Sequence, residues 1–349
     1  MILTDGVIPS VHGGSSARRS VSVVEQRPNR VTSRAIAAAL TYAIVMTIVI
    51  TPVVAAWGAD YAVYLDTIQG GRFAEVVGLF LASADLLSRL ANAQLLIFYS
   101  IFVMLGKIGL DAAASIALVS AASAFIVALY AIVGSRNKLF LMFLLSPFVL
   151  DLLYFQIRNG FALSLFLVGL LIRSRARKLS YALFALAVLI HFSMILFVVL
   201  YLIALRIDRS RTRAKDLATT LVLSKLGGIA IAALYVVSSI SLHRYYVREG
   251  LFTESSLVGL FFFASLAGVY VLAGQGFIRR YRFEFFLSIV LLWLYPVFAQ
   301  AMRVFASSYP LHLSALSNTR KPTLAFVVLF ALFVFNIVQW DPLMSYLGP

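Results

Sequence analysis

The chain contains no cysteine, which removes disulfides, thiolate nucleophiles and cysteine-held metals from consideration. Histidine is almost as scarce. The four are His12, His191, His243 and His312, and none stands at the His-x-x-x-His or Glu-x-x-His spacing with which a helix holds zinc. Charged residues make up only 12% of the chain, and acids number 14 against 29 bases, where a soluble domain carries about 25% charge. No Asp-x-Asp occurs, so the usual carboxylate cradle for a divalent ion is missing. We therefore expect neither a metal site nor a cofactor.

What fills the chain instead is apolar: 62% of its residues are hydrophobic. No soluble fold hides that fraction, because even a large domain leaves much of its chain at the surface. The alternating ~10-residue segments of a membrane barrel are absent. Backbone polar groups in lipid must then be satisfied within helices. The expectation is an all-α, polytopic integral membrane protein of about 10–12 helices, some shorter than the ~20 residues needed to span. The short ones are expected as broken or re-entrant helices around an outward-facing cavity.

Residues 1–34 are polar and Gly/Ser/Arg-rich, which predicts a disordered basic tail. Residues 35–349 are expected to form a single transmembrane helical domain opening with a signal anchor, Ala35–Trp57. Within it, 58–111 is predicted as an extracytoplasmic loop carrying half-helices, with 92–110 one of them.

The net charge of +15 does not point to nucleic acid, since the bases stand in short clusters between apolar runs, as positive-inside signals do. Placing the tail, Arg136/Lys138, Arg173–Lys178, Arg206–Lys215, Arg279–Arg282 and Arg320/Lys321 on the cytoplasmic side accounts for most of the 29 bases. This predicts a multi-pass plasma-membrane protein with a cytoplasmic N-terminus. Residues 179–205 then become a hairpin with His191 at its outer tip.

Two polar islands interrupt the apolar sequence, Gln156-Ile157-Arg158-Asn159-Gly160 and His191-Phe192-Ser193. Ionisable groups at membrane depth cost roughly 2.5–3.5 kcal/mol on insertion scales and usually persist because they line a polar cavity. Clustered polarity favours a functional Arg158, with Gln156 and Asn159 beside it. Arg303, inside Ala301-Met302-Arg303-Val304-Phe305, is a second candidate. Arg244 and Arg248 belong to an outer loop, where plain solvation competes with binding. For His191, spacing alone weighs a helix-kink residue equally against a proton acceptor. Asp60 is a rival base, its alternative being a solvated loop.

Gln156-Ile157-Arg158-Asn159-Gly160-Phe161-Ala162, a basic loop, then His191-Phe192-Ser193-Met194-Ile195 resembles the pattern of EpsG-like polymerases. These are related to the Wzy-type polymerases of exopolysaccharide and O-antigen synthesis. Asp60-Tyr61-x-x-Tyr64 looks like the family's aromatic-acidic loop. Ser83-Ala84-Asp85-Leu86-Leu87 resembles its Ser-x-Glu-Pro-Leu segment, with Asp for Glu and no proline. The resemblance covers about residues 35–205 and continues by hydropathy alone.

It implies a polymerase that joins polyprenyl diphosphate-linked oligosaccharide repeats on the outer face of the plasma membrane. Membrane lipids surround such an enzyme, and a chain-length regulator and a flippase of the same pathway would be its partners. The leaving diphosphate needs cations, and with no Asp-x-Asp these would be arginines, whose planar forks match phosphate oxygens. Arg158 is the leading candidate, with Arg303, Arg244 and Arg248 supporting. The resemblance tips His191 toward accepting the acceptor hydroxyl's proton, since neutral imidazole is available near neutrality. Gln156, Asn159 and Ser193 would bind substrate, and Tyr61 and Tyr64 would stack on sugar rings, although an interfacial aromatic belt also explains such tyrosines. A ligase, a polyprenyl-phosphate-dependent glycosyltransferase and a flippase of the lipid-linked glycan remain competing functions.

Overall fold

A computed structural model describes residues 31–57, 59–83, 86–209, 257–295 and 301–339. Among them every regular element is helical and no strand occurs. The apolar stretch 217–240 and the loop bearing Arg244 and Arg248 lie outside the described residues.

In chain order the first helices are α1 (Ser33–Trp57), α2 (Ala59–Gln69), α3 (Phe73–Ala82), α4 (Leu86–Lys107) and α5 (Ala112–Gly134). Asp111 caps α5, its carboxylate accepting from the backbone N–H of Ala114 at 2.7 Å, which satisfies one of the orphan donors at a helix start. The inward positions of α5 are small, with Ala124, Ala128 and Ala131 fully buried. Small residues let helices approach closely, and α5 is packed against by both α1 and α7.

The next segment does not hold a single helical form. Lys138–Leu145 is a 3₁₀ helix, Pro147–Leu150 is one turn of α-helix (α6), and Asp151–Phe155 is a π turn. The pieces bend by 61°. After the break come α7 (Ile157–Ile172), α8 (Arg177–Ile190) and α9 (Met194–Arg209). The remaining helices are α10 (Leu257–Ala273), α11 (Gln275–Arg280), α12 (Arg282–Leu294), α13 (Ala301–Leu316) and α14 (Pro322–Gln339). Gly274, at φ 90°, separates α10 from α11 with a backbone conformation that side chains disfavour.

Among the described residues, three helical stretches are long and apolar enough to cross a membrane: Ser33–Ala55, Ser88–Lys107 and Ala112–Gly134, or four if the bent pair Lys138–Leu145 and Pro147–Phe155 is one span. The other apolar helices are shorter. At 16 and 14 residues, α7 and α8 extend only about 24 and 21 Å at ~1.5 Å per residue.

The polar groups sort to opposite ends of the bundle. Asn137 N–H donates to the Ser317 carbonyl at 3.3 Å, and Asn318 Nδ2 to the Gly134 carbonyl at 2.7 Å. These bonds join the turn after α5 to the turn after α13. A guanidinium N–H of Arg173 donates to the Tyr201 hydroxyl, tying the α7–α8 turn to α9. One cavity is lined by Gly134, Leu171, Ala204, Arg282 and Ser314 together. The basic groups Arg136/Lys138, Arg173–Lys178, Arg279–Arg282 and Arg320/Lys321 therefore gather at one end. Arg34 belongs there too, because α1 runs from it toward Thr47, whose hydroxyl pairs with that of Tyr154 at 3.1 Å. Tyr154 adjoins the first polar island, so both islands sit one short helix away, at the opposite end.

The expected half-helix at 92–110 is instead part of a continuous helix of 22 residues. Near its start Gln94 Nε2 donates to the Val188 carbonyl at 3.1 Å, and farther along Phe98 packs on Phe161. Both contacts lie at the island end. Since α1 finishes and α5 begins at that end, the segment 58–111 starts and finishes at the same end of the bundle.

The two-ended arrangement is testable because the chain has no native thiol. In membrane vesicles, Ser193→Cys and Ser174→Cys should react with an impermeant thiol reagent from opposite sides. Labelling of both from one side would contradict the arrangement.

Candidate functional site

The π turn creates the site. In an α-helix each N–H reaches back four residues, but the Gln156 N–H reaches back five, to the Asp151 carbonyl at 2.8 Å. Such bulges recur at functional positions because they re-aim the side chains that follow. Here the slip turns Gln156 back over Asp151, and its Nε2 donates to the Asp151 carboxylate.

From Gln156 the polar contacts continue in one direction. Asn159 Nδ2 donates to Gln156 Oε1 at 3.1 Å. Ser193 Oγ donates to Asn159 Oδ1 at 3.4 Å, a long bond. Ser193 Oγ and His191 Nδ1 stand 2.7 Å apart. The two islands, more than thirty residues apart in sequence, thus form one relay: His191, Ser193, Asn159, Gln156, Asp151.

The relay favours one histidine tautomer. With the Ser193 proton directed to Asn159, the bond to His191 needs its proton on Nδ1, so the ring lone pair sits on Nε2. The reverse tautomer would give up the Asn159 bond for a backbone contact, Ser193 N–H to Nδ1, also at 3.4 Å. We favour the Nδ1–H form because it fills the acceptor on Asn159. Imidazole is then oriented by its neighbours.

Helix α7 starts inside this network, and its cap Gln156 makes no side-chain cap hydrogen bond. Its first-turn amides carry the positive end of the helix dipole. Arg158 is the second residue of the same turn, half-buried, and its Nε is buried without a hydrogen-bond partner. A guanidinium at a helix N-terminus is unfavourable by itself and becomes favourable when an anion bridges the two.

Gly160 permits the packing of this turn. A Cβ there would lie 2.4 Å from the Leu152 carbonyl oxygen and 3.2 Å from Leu153 Cα, both backbone atoms of the broken segment.

Other expected site residues are placed differently. Tyr61 and Tyr64 do not face an outer surface: they are 6% and 8% exposed. Tyr64 meets Phe98 and Tyr99 edge-on at 5.5 and 6.0 Å between ring centroids. Three residues apart on α2, they share a helix face, and that face is buried in the core. They pack the bundle and do not form a sugar platform. Asp60 lies in the first turn of α2 and Arg303 in the first turn of α13, but their side chains are outside the description. So are Arg244 and Arg248 altogether.

The cavity described is at the basic end, lined by Arg280, Arg282 and Glu284. His312 is buried in the core, its Nδ1 2.9 Å from the Tyr270 hydroxyl.

Asp151 is the relay member that sequence reasoning missed as a site residue. It stands five positions before Gln156, a spacing that places side chains on different faces of an α-helix and brings them together only across a π turn. No family model, no curated protein and no solved structure matches this chain.

The close approach at Gly160 generates a direct expectation. Gly160→Ala should push α7 off the π turn and lower the thermal unfolding midpoint of the detergent-solubilised protein. The cost is that of overpacking, about 1–3 kcal/mol. An unchanged midpoint would mean that α7 does not pack as described.

Proposed function

We propose that the chain is a membrane glycosyltransferase that polymerises polyprenyl diphosphate-linked oligosaccharide repeats at the outer face of the plasma membrane. The observation that carries this reading is the junction of Arg158 and the uncapped start of α7 with a relay ending in His191. An anion-binding group beside an oriented base is what glycosyl transfer from a diphosphate requires. The resemblance to EpsG-like and Wzy-type polymerases supplies the substrate class. In this reading the chain is polytopic, and the positive-inside rule assigns the basic end to the cytoplasm, which turns the islands outward.

The chemistry follows from the geometry. The bond between the anomeric carbon of the growing glycan and its diphosphate oxygen breaks, and the electron pair leaves with the diphosphate. Negative charge grows there, where Arg158 and the first amides of α7 supply preorganised positive charge. The hydroxyl oxygen of the incoming repeat forms the new bond to that carbon. Its proton passes to His191 Nε2, held in register by Nδ1–H bonded to Ser193. Asn159, Gln156 and Asp151 fix the orientation of Ser193 and of the ring. Arg303, Arg244 and Arg248 supplement the charge toward the carrier.

Transbilayer movement of the same lipid-linked glycan is the second reading, favoured by a charged cavity at the end remote from the relay. Proteoliposomes given a defined lipid-linked repeat separate the two. Polymerisation yields a ladder of products with release of carrier, whereas a flippase moves the unlengthened repeat across the bilayer.

Arg158→Ala should reduce polymer formation by about 10²-fold or more, the order lost when a preorganised charge partner is removed. Arg158→Lys keeps the charge but loses the fork and should recover little. Wild-type polymer from Arg158→Ala would sink the assignment. Since the sequence offers arginine where an Asp-x-Asp would hold a cation, EDTA should leave the rate unchanged. Loss of activity with chelator, restored by Mg²⁺ or Mn²⁺, would overturn that electrostatic scheme.

A further inference from the structure

The proposed reaction leaves the basic end of the bundle without a role, yet a built cavity lies there. Its volume is about 90 Å³, and Tyr130 of α5, Tyr201 of α9, Arg280, Arg282, Glu284 and Ser314 line it. A single water needs roughly 10–15 Å³ of such space, so the cavity has room for several waters or one compact polyatomic ion. It runs inward from the surface: Arg280 at its mouth is exposed, while Arg282 and Glu284 are only 5% and 6% exposed. A third cation stands at the wall. Arg173 donates to the Tyr201 hydroxyl, and its guanidinium carbon sits 4.9 Å from the Tyr201 ring centroid.

Snorkelling does not account for this arrangement. An arginine near a helix end normally extends its guanidinium to water, and Arg280 does so two residues away. Arg282 turns inward at the first residue of α12, into a space walled by hydroxyls. A permanent cation is taken out of water at a cost of several kcal/mol unless other groups compensate it. Glu284 supplies one negative charge to the lining. Among the described lining residues two arginines stand with one acid, and Arg173 adjoins them through Tyr201. One Arg282 guanidinium nitrogen is buried without a hydrogen-bond partner among the described residues.

We propose that this cavity is a binding site for a phosphoryl anion at the end of the bundle opposite the relay. The donors suit that ligand: guanidinium forks match phosphate oxygens in pairs, and Tyr130, Tyr201 and Ser314 are hydroxyl-bearing residues of the same lining. Basic pockets between helices on the cytoplasmic side of a membrane take up anionic lipid headgroups by this chemistry. The same lining would accept phosphate from solution, and the two sources are experimentally separable. The site does not depend on the glycan reading, because none of its residues takes part in that reaction.

The test uses the full-length protein in phosphatidylcholine nanodiscs. Short-chain phosphatidylglycerol, short-chain phosphatidylcholine and inorganic phosphate are titrated separately, with bound ligand counted by native mass spectrometry. Saturable retention of phosphatidylglycerol above phosphatidylcholine is expected, weakened at least tenfold in Arg282→Gln and measurably in Arg280→Gln. Saturable binding of inorganic phosphate without that lipid preference, and with the same dependence on Arg282, would identify solution as the source. Should Arg282→Gln fail to fold, Arg280→Gln decides the matter, as its side chain is at the exposed mouth. Arg320→Gln, on the same basic end but outside the lining, should bind as wild type does. Absence of phosphatidylglycerol preference together with no phosphate binding overturns the proposal. So does unchanged affinity in the cavity variants, or equal weakening in Arg320→Gln, which would mean diffuse attraction to a basic face.

Discussion

The bond from the Gln156 N–H to the Asp151 carbonyl spans five residues instead of four, and the polar end of the molecule is organised around that slip. It ends the broken segment that begins at Lys138 and stacks Gln156 on Asp151. In a regular helix through 147–172 Gln156 and Asn159, three residues apart, would still share a face, but Asp151, five before Gln156, would point away from it. The slip brings them into one line that Ser193 and His191 can extend. A π turn is a less favourable conformation than an α turn, and here it is held from several sides. Tyr154 bonds to Thr47 of α1, Gly160 lets the backbone of α7 come close, and Tyr42 of α1 donates to the Leu144 carbonyl at 2.8 Å. Helix α1 is thus the brace of the break as well as the first apolar segment of the chain.

A second constraint is the segregation of charge. Basic turns after α5, α7, α11 and α13 meet at one end, where Asn137, Asn318 and Arg173 cross-link them with hydrogen bonds. The islands occupy the other end, with only a short helix between each island and its nearest basic turn. The molecule therefore has two polar ends of different character. One is cationic and rich in arginine; the other carries a relay of carboxylate, amide, hydroxyl and imidazole with Arg158 beside it. That difference lets one chain treat the two ends as separate chemical environments.

Much of this was legible in the residues. The apolar excess set the helical class, and the islands stood out because polar groups amid Leu, Phe, Ala and Val are costly to keep. Their meeting could be expected from the hairpin that carries His191 back across the bundle. The relay itself could not, because Asp151 joins it only through a π turn, and sequence periodicity does not mark where a ladder slips. Tyr61 and Tyr64 were misplaced for a related reason. Tyrosine suits both a wet surface and a core, and only the packing of α2 on α4 decides between them. The half-helix expected at 92–110 rested on charge placement, since a full crossing there would turn several basic clusters outward; Asn92 and Gln94 lie within one continuous helix. Both are absorbed by backbone carbonyls, Asn92 by Leu79 at 3.2 Å and Gln94 by Val188 at 3.1 Å. The cavity at the basic end depends on Arg282 turning inward while Arg280 points out, a choice of side-chain direction that a run of three arginines and a tyrosine does not announce.

The shortness of α7 and α8 carries a consequence for the lipid around them. A hydrocarbon layer is about 30 Å thick, and these helices rise only about 24 and 21 Å. Neighbours such as α1 and α5, with 25 and 23 residues, match or exceed that thickness. A bilayer embedding the bundle would meet long walls on one flank and short ones on the other. It would have to thin beside α7–α8, at a cost of fractions of a kcal/mol per Å of mismatch. A dimpled membrane of this kind lowers the headgroup plane toward His191 and Arg158. For the proposed lipid-linked donor, the deformation of the lipid would itself form part of the entrance.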